Sequence, residues 1–413
     1  MTESLFRLSY PECRDLLQAR IAEPAPTRIQ LLAGPRQVGK TTLLLELAER
    51  LHGTAVYAAA DAPEASLPGF WERLWVKAAE IARSRGRAVV LLDEAHLLPD
   101  WAARLKGEWD RLRRLKLPLQ VVATGSSALH LGAGSRESLA GRFERVVLTH
   151  WSAASFAATF GLDPRAGVEV LIRTGTYPGA YAYRDDFARW SAYVRDAVVE
   201  PAVGRDMLAL AAVRRPALLR QVFAVCALAP AQIVSLQKIR GQLEDAGALE
   251  TLAHYLELLE EAFLVASLPK YTRRAARSRS APPKLVALSN AFLAVTQPEG
   301  IPDRERTPAR FGAWVENACL AHAWHAGQRV RYWREGPLEV DAIVEGSWGK
   351  WAIEVKTGAV SGGELRGLSE FTRDHPDFRA LVLCDPARGE AVARLGLPSM
   401  PWTEFLLGGP AGH

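Results

Sequence analysis

The sequence predicts an α/β protein, with a parallel sheet in its first third and a smaller α/β unit at its end. Three observations predict it. Residues 31–45, LLAGPRQVGKTTLLL, pass from a buried strand through a glycine-bounded loop into an amphipathic helix. The apolar run RAVVLL at 87–92 ends in Asp93 and Glu94. Near the end, LEVDAIV (338–344) and WAIEVK (351–356) alternate apolar and charged positions, as half-buried neighbouring strands do.

The first of these fits GxxxxGK[ST], carried by Gly34, Pro35, Arg36, Gln37, Val38, Gly39, Lys40, Thr41 and Thr42. Each residue type answers a need of a nucleoside triphosphate. Glycines let the backbone wrap close enough for its N–H groups to face phosphates, and the helix that follows aims its positive end at them. Lys40 supplies a point charge for the β/γ oxygens, and the Thr41 hydroxyl suits a Mg²⁺ ion, so ATP and Mg²⁺ are the expected cofactors. The context is that of the motif, with a strand at 27–32 before the loop and a helix at 41–51 after it.

A leading helix is expected within residues 3–23, a second strand at 54–60 and a helix at 71–84. A carboxylate at the end of the 87–92 strand, beside a phosphate loop, places Asp93 to hold Mg²⁺ and Glu94 to orient the attacking water. Asp93 to His96 also spell DEAH, but no other motif of that helicase class is visible, and His96 reads as an incidental neighbour. After a basic helix at 99–115, LQVVA (119–123) is the next strand. It ends in Thr124, Gly125, Ser126 and Ser127, where Thr124 or Ser126 is placed to report on the γ-phosphate.

GPRQVGKTT, the strand with Asp93 and Glu94, TGSS and the GRFER of 141–145 together resemble an AAA+ ATPase core, taken as residues 1–150. The resemblance implies that Arg142 reaches the nucleotide of a neighbouring subunit, where it would stabilise transition-state charge, and hence a homo-oligomer, a hexameric ring. The alternative is an arginine paired with a local carboxylate. The resemblance also makes 151–210, helical around the turn GTYPGAY, the small lid of the ATPase, with Arg173, Arg184 and Arg205 all available as a second sensor.

Residues 211–290 order as helices at 216–229, 233–244 and 249–261, then strands at 263–269 and 284–288, the order of a winged helix. KYTRRAARSRS, 270–280, would sit at the wing tip, and its positive charge suits phosphate contacts. The third helix presents Glu250, His254, Glu257 and Glu261, an acidic face unsuited to a groove walled by phosphates. A winged module used only for packing is the alternative.

In 300–413 the chemistry sits on a helix with Glu316 and on the two alternating strands. Asp341 lies on the face opposite Val340, Ala342 and Val344, while Glu354 and Lys356 share a face. Asp341 and Glu354, with Glu316 added from the helix, are candidate Mg²⁺ ligands, and Lys356 would position or deprotonate water. This resembles the PD-(D/E)xK nuclease superfamily, whose fold is of the restriction-endonuclease type. The whole chain looks like one prokaryotic family of AAA+ ATPases with a winged-helix segment and a nuclease-like end. Ser289 and Asn290 depart from the acidic residue and threonine common there.

The 413 residues are ordinary globular material, 49% hydrophobic and 23% charged, which excludes a largely disordered chain. A net charge of +5 is compatible with a nucleic-acid partner without requiring one. The four cysteines are scattered, which argues against a zinc ribbon or a disulfide framework, and no signal peptide or membrane span is evident. A cytoplasmic protein without a membrane partner is expected. Three functions compete: an ATP-driven motor or remodeller acting on branched or single-stranded DNA in repair or recombination, an ATP-gated Mg²⁺-dependent endonuclease, and a nucleotide-dependent regulatory switch.

Overall fold

A computed structural model of the chain describes residues 6–25, 28–125, 139–207, 213–244, 247–272 and 281–410. They fall into two compact units, residues 1–149 and 150–413.

The first unit runs β1 (Phe6–Leu8), α1 (Tyr10–Ala22), β2 (Ile29–Ala33), α2 (Lys40–Arg50), β3 (Ala55–Ala59), α3 (Phe70–Arg85), β4 (Ala88–Asp93), α4 (Trp101–Arg114), β5 (Leu119–Thr124) and β6 (Phe143–Leu148). The six strands form one sheet in the order β1-β6-β2-β5-β4-β3, and every pairing is parallel. Strands β2, β4 and β5 are buried at every position, which is why they read as unbroken apolar runs: a parallel sheet covered on both faces has no wet side. Parallel strands also bring their carboxyl ends to one edge, and the loop 34–39, Asp93 and Thr124 all leave the sheet there.

The leading segment divides into a strand and a helix. Ser9 and Glu12 form a reciprocal capping box that fixes the start of α1, and the three residues before it pair with β6; so short a strand leaves no periodicity to read. At Gly34 a Cβ would lie 2.2 Å from the Leu148 carbonyl oxygen, so the chain leaves β2 past the end of β6 only because that residue has no side chain.

The second unit begins with α5 (Ala153–Phe160), α6 (Pro164–Arg173) and α7 (Phe187–Tyr193), then wide helical turns through Asp206. Next come α8 (Pro216–Leu228), β7 (Gln232–Ile233), α9 (Leu236–Arg240), α10 (Leu249–Glu261), β8 (Val265–Leu268), β9 (Lys284–Ala287) and α11 (Asn290–Thr296). The helix expected from 233 starts later, because Gln232 and Ile233 pair with β9 and Ser235 accepts a hydrogen bond from the Lys238 N–H as a cap. Strands β7, β9 and β8 form a three-stranded antiparallel sheet.

The chain closes with α12 (Pro308–His325), β10 (Arg329–Glu335), β11 (Leu338–Gly346), β12 (Gly349–Lys356), α13 (Arg366–Asp374), β13 (Arg379–Cys384), α14 (Gly389–Ala393), β14 (Ser399–Pro401) and α15 (Trp402–Gly408). Here β10 to β14 lie in sequence order in a five-stranded mixed sheet, antiparallel through β12 and parallel beyond it. The two sheets of this unit are stitched together. The Tyr271 N–H donates to the Tyr332 carbonyl and the Tyr332 N–H to the Pro269 carbonyl. A buried amide knot does the same for the helices: the Asn290 side chain donates to the carbonyls of Ile172 and Trp314, and Asn317 bonds both backbone groups of Ala287 and the Asn290 oxygen. With that many partners, Asn290 is a buried joint rather than a loose turn.

All four cysteines are buried and free. Among the described residues no helix is long and apolar enough to cross a membrane.

Candidate functional site

In the first unit the loop 34–39 leaves β2 and enters α2 through Gly39, whose φ of 95° is a conformation L side chains rarely adopt. The Lys40 ammonium is folded onto this loop, donating to the carbonyls of Gly34 at 3.0 Å and Pro35 at 2.7 Å. Thr41 and Thr42 are exposed on the first turn of α2. Their hydroxyls are hard oxygen donors of the kind Mg²⁺ prefers.

Asp93, buried at the end of β4, is the hub of a polar knot. Its carboxylate accepts from the Tyr57 hydroxyl at 3.1 Å, from the Thr124 hydroxyl and from the Glu94 N–H at 3.1 Å. That N–H is also 3.0 Å from the Thr124 oxygen. Strands β4 and β5 thereby lock their ends together across adjacent carboxyl termini. Burial first, and the Asp93 and Glu94 charges with it, push the Tyr57 phenol well above its ordinary range, so it donates throughout the physiological range.

Glu94 itself holds a left-handed φ of 49°, an unfavourable backbone for a residue with a side chain. The sequence assigns His96 no role, but the structure places its buried ring with Nδ1 3.3 Å from Glu94 Oε2. Neither Tyr57 nor His96 carries a sequence signal, since the one lies mid-strand and the other follows a motif that already accounts for its neighbours. Ser126 and Ser127 lie outside the described residues.

Arg142 faces a local carboxylate. Its guanidinium spans Asp110, with Nε 3.1 Å from Oδ1 and Nη2 3.4 Å from Oδ2, and lies over the Trp109 ring. Asp110 and Trp109 belong to the basic helix α4, where nothing in the sequence marked them.

In the second unit, Asp341 on β11 and Glu354 on β12 stand side by side where the antiparallel ladder ends. Regular pairing stops at Ala342 opposite Ile353; beyond it the Val355 N–H donates to Asp341 Oδ2 at 3.0 Å, and the Asp341 N–H to Glu354 Oε2 at 3.3 Å. Lys356 closes on Glu354 Oε1 at 2.8 Å. Glu316 arrives from α12. The structure therefore gathers Glu316, Asp341, Glu354 and Lys356 into one place.

Beside these carboxyl groups the structure places the ammonium of Lys284. From β9 its Nζ reaches Glu316 Oε1 at 2.6 Å, Asp341 Oδ1 at 3.0 Å and Glu339 Oε1 at 3.3 Å. The Asp341 carbonyl is 3.4 Å away. Among the described residues, no group of three or more His, Cys, Asp or Glu side chains is placed to hold a metal ion.

The charges respond accordingly. Burial, and then the Asp341 charge, raises the carboxyls of Glu316 and Glu354, each to about 8. Burial alone would raise Asp341 too, but Lys284 and Lys356 pull it below the ordinary carboxylate range. Burial works against the charge on Lys284, and Asp341, Glu316 and Glu339 overcome it, holding the ammonium protonated well past its usual range. Lys284 and Glu339 are absent from the sequence reading. The available signal was the lysine that opens the otherwise apolar strand KLVA; in the structure all four residues are buried, and a charge there requires a partner.

Residues 26–157 match the family model described as AAA domain. Residues 166–297 and 311–402 match two models each described as a domain of unknown function. No curated protein matches the chain. Solved structures similar to it include AMPPCP-bound DnaA from Aquifex aeolicus, 14% identical over 61% of this chain and 87% of that one, with a TM-score of 0.31. The Aeropyrum pernix ORC1 protein in complex with DNA is 14% identical over 70% and 94%, with a TM-score of 0.27. A RuvB variant from Thermotoga maritima is 18% identical over 67% and 96%, with a TM-score of 0.33. The family match falls on the parallel sheet, the phosphate loop and the Asp93 knot, so this stretch of the chain is similar to an AAA domain with a phosphate-binding loop.

Proposed function

We propose that the protein hydrolyses ATP in its first unit and uses that cycle to act on DNA, as a motor or remodeller at branched or single-stranded structures. The observation that carries the ATPase reading is the convergence of Lys40, Asp93, Glu94 and Thr124 at the carboxyl ends of β2, β4 and β5, which are neighbours in the sheet. The loop amides and Lys40 bind the phosphates, and Lys40 exchanges its two carbonyl partners for phosphate oxygens. Glu94 orients water for attack on the γ-phosphate. Thr124 holds Asp93 and the Glu94 backbone in register, so it positions the site. A Mg²⁺ accompanying the nucleotide would be held by Thr41 and Asp93 and would neutralise phosphate charge.

The DNA part rests on the sequence of 270–280, whose arginines suit a phosphate backbone. In the same reading 151–210 serves as the lid, 211–290 as a winged-helix module and 300–413 as a nuclease-like domain that grips rather than cuts. A ring in which Arg142 serves the neighbouring nucleotide requires that guanidinium to leave Asp110.

The test is ATP turnover without DNA and with linear duplex, single strand, fork and four-way junction. Turnover that is lost in Lys40→Ala and stimulated by one of these DNAs is the expected result. Absence of turnover overturns the ATPase reading, and turnover indifferent to every DNA overturns the DNA reading alone.

A further inference from the structure

We propose that Lys284 is a resident cation in the nuclease-like carboxylate site: its ammonium takes the position of a divalent metal, so the second unit keeps the fold of a metal-dependent site without the metal. Three features carry this inference. The ammonium is buried, at 1% exposure for the residue, so it is a fixed part of the interior and not a solvent-facing side chain swung inward. Its oxygen partners, Glu316, Glu339 and Asp341, come from α12 and β11, the elements that would present ligands to a metal. And it belongs to β9, whose place between β7 and β8 fixes the lysine backbone from both sides.

Charge bookkeeping points the same way. Four carboxyl groups, those of Glu316, Glu339, Asp341 and Glu354, face two ammonium groups, Lys284 and Lys356, in one cluster. A divalent ion among these oxygens would have to displace the Lys284 ammonium, and a buried charge stripped of its counter-ions is strongly disfavoured. The lysine also does something a metal could not: it bonds the three-stranded sheet to the five-stranded one through the side chains of a single cluster.

The experiment is Mn²⁺ binding, followed by electron paramagnetic resonance, to the nucleotide-free full chain in the wild type, Asp341→Asn, Lys284→Ala and the double variant. Wild type and Asp341→Asn should bind alike, with no Mn²⁺ dependent on Asp341. Lys284→Ala should gain a Mn²⁺ site that the double variant loses, and Mn²⁺ should raise its unfolding temperature. Asp341-dependent Mn²⁺ binding by the wild type overturns the proposal, as does a folded Lys284→Ala that gains no site. Should Lys284→Ala not fold, Mn²⁺-dependent nicking of plasmid DNA decides the matter in the wild type: no nicking sustains the proposal, and nicking abolished by Glu354→Gln overturns it. None of these readouts depends on ATP turnover, so the inference and the ATPase reading fail separately.

Discussion

Two buried lysines, one in each unit, meet opposite fates. Lys40 is 6% exposed and its ammonium rests on two neutral carbonyls of a loop. Lys284 is 1% exposed and its ammonium lies among the carboxyl groups of Glu316, Glu339 and Asp341. A carbonyl that accepts from an ammonium leaves its charge in place, so these two bonds can be exchanged for bonds to phosphate oxygens. Carboxylates cancel the charge of Lys284, and removal of either side leaves a bare ion in the interior. The first arrangement is built to be exchanged for ligand; the second is built to stay.

The largest expected effect that tests this contrast is on turnover. Lys40→Ala should lower ATP hydrolysis by about 10²-fold or more, as expected for loss of a preorganised charge at a transferring phosphoryl group, while leaving the unfolding midpoint nearly unchanged. A variant that unfolds instead would place Lys40 in the same class as Lys284. Lys284→Ala should do the reverse, with turnover kept and stability lowered by about 3–5 kcal/mol in denaturant unfolding, because it leaves uncompensated carboxylates buried. A loss under about 1 kcal/mol would mean the cluster is effectively solvated.

A smaller effect follows from pH. Glu316 and Glu354 sit near 8 in the folded protein, well above the ordinary glutamate value, so between roughly pH 4.5 and 8 the folded state holds protons that the unfolded chain has released. Stability of the second unit therefore falls as pH rises through that window. Thermal unfolding measured at steps from pH 5 to 8 should show the midpoint declining, and Glu354→Gln should flatten the slope. A midpoint that climbs over the same range contradicts the protonated-carboxyl picture.

Around Asp93 the effects are graded. Thr124→Val should reduce turnover by releasing Asp93 and the Glu94 backbone together, and His96→Gln should reduce it only several-fold, with nucleotide binding intact in both. Equal binding losses in a nucleotide titration would mean that these residues shape the pocket and not the water. The smallest expected change is in stability on Arg142→Ala: the Asp110 pair is partly exposed, so its loss is worth about 0–1 kcal/mol. A large fall in turnover from that substitution, relieved by mixing with Lys40→Ala chains, would show that Arg142 acts on a neighbour's nucleotide and sharpen the case for a ring.

The sequence reading reached what is local. The strand, loop and helix around Gly34 to Thr42 could be read because a GxxxxGKT spacing and two apolar periodicities fall within one short stretch. The strand ending in Asp93, and the alternation that sends Glu354 and Lys356 to one face, were legible for the same reason. What escaped was short or distant. Strand β1 has three residues and no period, and the helix expected from 233 lost its first turn to a pairing with β9 that only tertiary contact creates.

The α/β class, the phosphate loop and the carboxylates of β11 and β12 were thus determined by the sequence itself, since each depends on residues within a few positions of one another. Which cation those carboxylates hold was decided by the tertiary structure alone. Lys284 lies 32 residues before Glu316 and 57 before Asp341, and no spacing rule links them. Only the packing of the three-stranded sheet against the five-stranded one brings an ammonium into a pocket of acids, where burial makes its charge mandatory and its counter-ions inseparable from it.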